Sequence, residues 1–204
     1  MSKHFAHVVR GSGPGLLLAH GGEGNFDEVA DELVATAVAA GVERFAILGY
    51  SLGTAVAVRA ATRHPSRVTG LVLTSGFARM DNRMRLAVDV WKSLLDGDRE
   101  LLARYLVLAA TGAEHLAAFV PPGTPEQVAL VESVDTRAEL AGITVPTLVI
   151  ATTLDGLASP ALSHEPADGI PGARLAEIEA GHNIGAEARD EWLAAIVPFL
   201  AAVA

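Results

Sequence analysis

The stretch LGYSLGTA, Leu48 to Ala55, sets a serine between two glycines where an apolar run meets an alanine-rich one. A serine hydroxyl is a weak nucleophile at neutral pH and needs a base to take its proton. Histidine can do that, and a carboxylate behind it holds the ring tautomer and stabilises the imidazolium. Two downstream residues fit those roles. Asp155 follows the apolar run VPTLVIATTL, and His182 follows ARLAEIEAG. Each has a bland alternative: Asp155 as a turn residue beside Gly156, His182 as a loop histidine capping the last helix. Both together, in the order serine, acid, histidine and each after a strand-like run, favour nucleophilic catalysis by Ser51. Asp81 is the reserve candidate for the acid.

Such chemistry also needs backbone N–H donors aimed at a developing oxyanion. The N–H of Leu52 is one candidate. Gly22, in the turn LLLAHGGEGN, is the other, with His20 orienting that turn by hydrogen bonding.

The elements that must position these residues are legible as alternating patterns. Six runs read as strands: HFAHVV, GLLLAH, RFAILGY, RVTGLVLTS, TVPTLVIAT and ARLAEIE. Glu28–Ala40 reads as an amphipathic helix stopped by Gly41. Ser51–His64 is apolar almost all round and reads as a buried helix, and Glu187–Val203 closes the chain with Trp192, Leu193, Ile196 and Leu200 on one stripe. Strand alternating with helix predicts an α/β fold, a mostly parallel sheet of about six strands flanked by helices. The RFAIL strand before Ser51 and the TAVAVRAAT helix after it are the setting a nucleophile elbow requires.

Residues 79–140 break the alternation with helical periodicity, and are read as a helical cap inserted within a single domain, 1–204. The alternative is an extra helical layer packed on the core. The cap reading is favoured because ligand crevices lie at the carboxyl edge of open α/β sheets. Met80, Met84, Trp91, Tyr105 and Phe119 are its candidates to line an apolar acyl pocket.

Composition narrows the function. The chain has 204 residues, 50% hydrophobic, with formal charge −9 and no cysteine. An acidic chain with scattered Lys and Arg argues against nucleic acid. No apolar run reaches the roughly 18 residues of a membrane span, and the N-terminal residues lack the apolar core of a signal peptide. A cytoplasmic protein acting on a small apolar molecule is the simplest expectation. The remaining histidines form no cluster with acids at metal spacing, so no metal is expected.

GSGPGLLLAHGG, GVERFAILGYSLGTAVAVRAATRHPSRVTGLVLTSGF, VPTLVIATTLDGLASP and AGHNI together resemble the α/β-hydrolase superfamily, in its small bacterial esterase-like branch. With the connecting helices the resemblance covers roughly two-thirds of the chain. It implies a Ser51–His182–Asp155 triad, hydrolysis through an acyl-enzyme, and no cofactor. The implied substrate is a small or medium apolar ester, thioester or lactone. The same residues also serve carbon–carbon bond hydrolysis or perhydrolysis, and a catalytically weak or silent ligand-binding protein of this fold is the reading from another class.

One departure stands out. Family members usually place another strand and helix between the HGG turn and the helix before the elbow, whereas here EGNFDEVADELV follows almost at once. HFAHVV is expected to pair with GLLLAH as a hairpin in the vacated place. An edge left open there would be a route to a homodimer.

Overall fold

The computed structural model describes residues 12–19, 25–95, 97–110 and 125–204. Five strands form one sheet: β1 (Gly15–Ala19), β2 (Phe45–Tyr50), β3 (Val68–Thr74), β4 (Thr147–Thr152) and β5 (Arg174–Ile178). Every pairing is parallel and the spatial order is β1-β2-β3-β4-β5. The expected α/β class therefore stands, with five described strands where about six were expected. The HFAHVV run and its hairpin lie outside the described residues.

The first crossover is α1 (Phe26–Ala39). It starts two residues earlier than periodicity suggests because the Asn25 side chain accepts from the Glu28 N–H at 2.9 Å. It ends as Gly41 turns to φ 85°. There the Gly41 and Val42 N–H groups donate to the carbonyls of Val38 and Ala37, the paired bonds of a Schellman motif. After β2 comes α2 (Gly53–Arg63), buried along all but its Arg59, Thr62 and Arg63 side. Those cations reach other elements: exposed Arg63 bonds Asp31 on α1, and half-buried Arg59 lies 2.8 Å from Glu139.

Alternation in the strands splits the core in two. Phe45, Ile47, Leu71, Leu73 and Val149 face α1, α2 and α7 (Pro160–Gly169). Leu48, Val72, Leu148, Ile150 and Ile178 face the other way, against α8 (Ile184–Glu187) and α9 (Arg189–Val203). The terminal helix expected over Glu187–Val203 starts two residues later, at Arg189, because Ala188, with φ −144° and ψ 50°, is not helical and separates it from the short α8. On β3, Gly70 lets α9 approach: a Cβ there would lie 2.8 Å from Val203.

The 79–140 insertion is helical, with α3 (Asn82–Leu95), α4 (Arg99–Ala110), α5 (Pro125–Glu132) and α6 (Arg137–Leu140) described. It packs into the domain: Met80, Met84, Val88, Val128, Val131 and Val134 are buried in the same cluster as β2 and β3. At the sheet's other side, Leu18 of β1 is 69% exposed and Leu16 is also exposed. No helix among the described residues is long and apolar enough to cross a membrane.

Candidate active site

Ser51 stands where β2 turns into α2, and the turn is strained. Its φ is 53°, a left-handed conformation that costs an L-residue roughly 1–2 kcal/mol. The surroundings hold it there. The Ser51 N–H donates to Thr74 O on β3, and its carbonyl accepts from both the N–H and hydroxyl of Thr54, at 3.0 and 2.7 Å. The turn closes only because Gly49 is glycine, since a Cβ there would lie 2.5 Å from the Gly53 carbonyl oxygen. Gly76 does the same for Thr54, its Cβ position falling 2.3 Å from the threonine methyl.

Parallel pairing brings the other two residues to the same edge. It continues past the ends of β4 and β5, with Thr153 N–H donating to Ile178 O and Leu154 N–H to Ala180 O. The two loops climb together, and Asp155 arrives beside His182. His182 Nδ1 is 2.7 Å from Asp155 Oδ2, and Nε2 is 2.8 Å from Ser51 Oγ. An ionised carboxylate only accepts, so Nδ1 carries the ring proton. That leaves Nε2 to accept the Ser51 hydroxyl proton. Asp155 and His182 are 4% and 7% exposed. Burial of the carboxylate is offset by four donors: Leu157 N–H and Ala158 N–H on Oδ1, and His182 Nδ1–H and the Thr152 hydroxyl on Oδ2.

The histidine loop is pinned on three sides. Tyr50, the residue before Ser51, donates its hydroxyl to the His182 carbonyl. Gly181 N–H donates to Glu187 Oε2 at 2.8 Å, and Asn183 N–H to Ala110 O at the end of α4. Tyr50 lies between rings, 5.5 Å from His182 and 6.4 Å from Trp192, and Trp192 Nε1–H donates to Thr74 Oγ1. Burial pushes the Tyr50 hydroxyl well above the usual phenolic range, and the charges of Asp155 and Glu187 push it further.

Asp81, the reserve acid, is occupied elsewhere: Oδ1 accepts from the Met84 N–H at the start of α3 and Oδ2 from Ser159. Leu52 occupies the N-cap position of α2. Its N–H therefore belongs to the helix's first turn, which has no intrahelical partner. Gly22, His20 and Phe119 lie outside the described residues. Of the pocket candidates, Met80 and Met84 are core residues, Trp91 is half-buried against them, and Tyr105 donates its hydroxyl to Ala87 O, tying α4 to α3. Two surface hollows of about 340 and 580 Å³ share Arg79 and Arg137 and include none of Ser51, Asp155 and His182.

Sequence reasoning missed Tyr50, Thr152 and Ser75 around the histidine and acid. Threonine and serine inside apolar strand ends were the available signal. A buried hydroxyl needs a partner, and the nearest carboxylate of the same loop is Asp155.

A sequential parallel sheet, helices on both faces, a strained serine between strand and helix, and a histidine bridging it to a buried carboxylate define a class. The model of the alpha/beta hydrolase fold family matches residues 11–121, more than half of the chain. The chain belongs to the α/β-hydrolase fold family, and it is an enzyme of that type. Pyrrolizixenacetamide deacetylase of Xenorhabdus hominickii is 29% identical over 206 residues, spanning 93% of this chain and 77% of that protein. RutD of Azorhizobium caulinodans, which carries the name carbamate hydrolase, is 31% identical over 78% of this chain and 67% of its own length. Among solved structures, a hydrolase from Pseudomonas aeruginosa superposes with a TM-score of 0.76 at 25% identity, covering 88% of this chain and 73% of that one.

Proposed function

We propose that this protein is a serine hydrolase that cleaves a small or medium apolar acyl compound, an ester, thioester or lactone, through an acyl-enzyme on Ser51. The observation that carries the reading is the continuous series Ser51 Oγ–His182 Nε2 at 2.8 Å and His182 Nδ1–Asp155 Oδ2 at 2.7 Å, set on a strained strand-to-helix turn. In this reading Ser51 Oγ attacks the carbonyl carbon as His182 Nε2 takes its proton. The tetrahedral oxyanion accepts from Leu52 N–H and a second donor in the HGG turn. His182 then gives its proton to the leaving group, and the acyl-enzyme forms. Water, deprotonated by the same nitrogen, attacks the acyl carbon and restores Ser51. Asp155 keeps the ring oriented and balances the imidazolium charge.

A second reading keeps the residues and changes the bond. The deacetylase and carbamate hydrolase names of the two relatives favour an acyl–nitrogen bond over an acyl–oxygen one. Steady-state hydrolysis of p-nitrophenyl esters of increasing chain length, alongside matched anilides and carbamates, separates the two. The ester reading requires turnover of short or medium esters that falls at least about 1000-fold in Ser51→Ala. Turnover confined to the nitrogen compounds moves the assignment to the second reading. Equal ester turnover by Ser51→Ala removes both.

A further inference from the structure

Thr152 is the last residue of β4, three positions before Asp155, and its hydroxyl sits 3.0 Å from Asp155 Oδ2 and 3.0 Å from Ser75 Oγ. A hydroxyl has one proton, and an ionised carboxylate has none to offer. The Thr152 proton therefore points at Oδ2, and the Thr152 oxygen takes the proton of Ser75. The chain Ser75 to Thr152 to Asp155 lies inside the protein, with Ser75, Thr152 and Asp155 exposed by 0%, 1% and 4%. Ser75 is held at φ 49°, and its N–H is tied to Ile150 O. The acyl-transfer steps above use neither hydroxyl, and valine would fill the space of Thr152 with no polar atom to satisfy.

We propose that Thr152, backed by Ser75, is a positioning residue that divides the charge of Asp155 and so sets how tightly His182 holds a proton. The proposal rests on the Ser51–His182–Asp155 reading. Thr152 and His182 donate to the same oxygen, Oδ2. Hydrogen bonds to a carboxylate compete for its charge, so donation by Thr152 leaves less for the imidazolium. Near neutral pH that keeps more of His182 as free base, the form that accepts the Ser51 proton. The described titratable groups facing the pair are Tyr50 on β2 and Glu187 on α8, both interacting with the same region. Arg83 on α3 has a guanidinium nitrogen 3.8 Å from the Cβ position of Gly156. Substitution of Thr152 leaves all three in place.

The test is the titration of the His182 ring by NMR on labelled protein, its signal identified by loss in His182→Gln, together with the pH profile of kcat/KM. Thr152→Val should move both acidic midpoints upward by about 0.5 to 1 pH unit, with KM little changed. Ser75→Ala should move them the same way by less, and Thr152→Ser should return them to within about 0.2 unit of the wild type. A Thr152→Val midpoint within about 0.2 unit of wild type, or below it, overturns the proposal, as does a Thr152→Ser shift equal to that of valine. If Thr152→Val does not fold, Ser75→Ala decides, and no upward shift in it is the contrary result. Failure of the hydrolase reading shows separately, as a wild-type protein without turnover, whereas the ring titration is read with or without turnover.

Discussion

The Tyr50 hydroxyl donates to the main-chain carbonyl of His182, so the residue preceding Ser51 holds the loop that carries its partner. Two segments 132 positions apart are joined by one partly buried bond, and the ring that makes it also packs between His182 and Trp192. Tyr50→Phe keeps the ring and removes the bond. Expected is a loss of about 1 kcal/mol in stability and a fall of about tenfold in kcat with KM little changed. Because burial holds the Tyr50 hydroxyl above its ordinary range, this bond survives alkaline conditions. The wild type should show no loss of kcat near the usual phenolic value of about 10. Chemical denaturation and kcat against pH check both points.

Strain at Ser51 predicts how two small substitutions rank in stability. At φ 53° alanine is as strained as serine, whereas glycine is not. Both Ser51→Ala and Ser51→Gly should lose turnover. The glycine variant should match or exceed the alanine variant in stability, by up to about 1 kcal/mol, despite its greater freedom when unfolded. Thermal melts of the pair measure the difference directly. A glycine variant clearly less stable than the alanine variant would contradict a strained elbow.

Glycine is required at position 49 for a different reason. Gly49→Ala puts a methyl 2.5 Å from the Gly53 carbonyl oxygen and 2.8 Å from Thr54 Cα, both backbone. Neither can step aside without unwinding the start of α2. A cost of about 2–3 kcal/mol and loss of turnover are expected. Normal stability with normal rate would show that the turn relaxes freely.

The helical insertion touches the acid and histidine loops through the end of α4. Ala110 O accepts from Asn183 N–H, and a Cβ on Gly156 would lie 2.9 Å from Ala109 O. Gly156→Ala should therefore push α4 off the Asp155 loop. The expected result is a kcat/KM reduced several-fold with a modest loss of stability, about 1 kcal/mol. Gly172→Ala, at a left-handed turn with open space around it, serves as a control: it costs stability by strain alone and leaves kcat/KM as in the wild type.

Two exposed ion pairs set an acid-dependent contribution to stability. The Arg63 guanidinium holds the Asp31 carboxyl down at about 2, and Arg137 holds Asp135 at about 2. A carboxyl lower in the folded than in the unfolded state stabilises above its unfolded value of about 3.9, and that contribution is lost as pH falls toward 2. The stability gap between wild type and an Asp31→Asn, Asp135→Asn variant should thus narrow as pH falls from 5 to 3. It should also shrink in about 0.5 M salt, since the pairs are solvent-exposed. Urea midpoints at each pH give the gap.

The sequence pointed to Ser51, Asp155 and His182 as candidates because their types and order are local: a serine between glycines, then an acid and a histidine after apolar runs; the structure brings the three side chains into one hydrogen-bonded series. The sequence also carried the sheet, since alternation and turn residues mark each strand. It did not carry what depends on side chains meeting across the fold. Tyr50 reads as an aromatic strand end, and nothing near it in sequence points to the His182 carbonyl. Asp81 reads as an acid past a strand end until the Met84 N–H shows it capping a helix. Met80 and Met84, apolar on a candidate cap, turned inward because the insertion shares the core of β2 and β3. The short α8 and the non-helical Ala188 were not legible, since nothing in the residue types around Ala188 marks a helix boundary.

Whether Ser51 is the nucleophile is read by fluorophosphonate labelling, with the modified peptide located by mass spectrometry. The wild type should label stoichiometrically at Ser51, Ser51→Ala should not label, and His182→Ala should label far more slowly. An unlabelled folded wild type, or a label on another residue, would contradict that role.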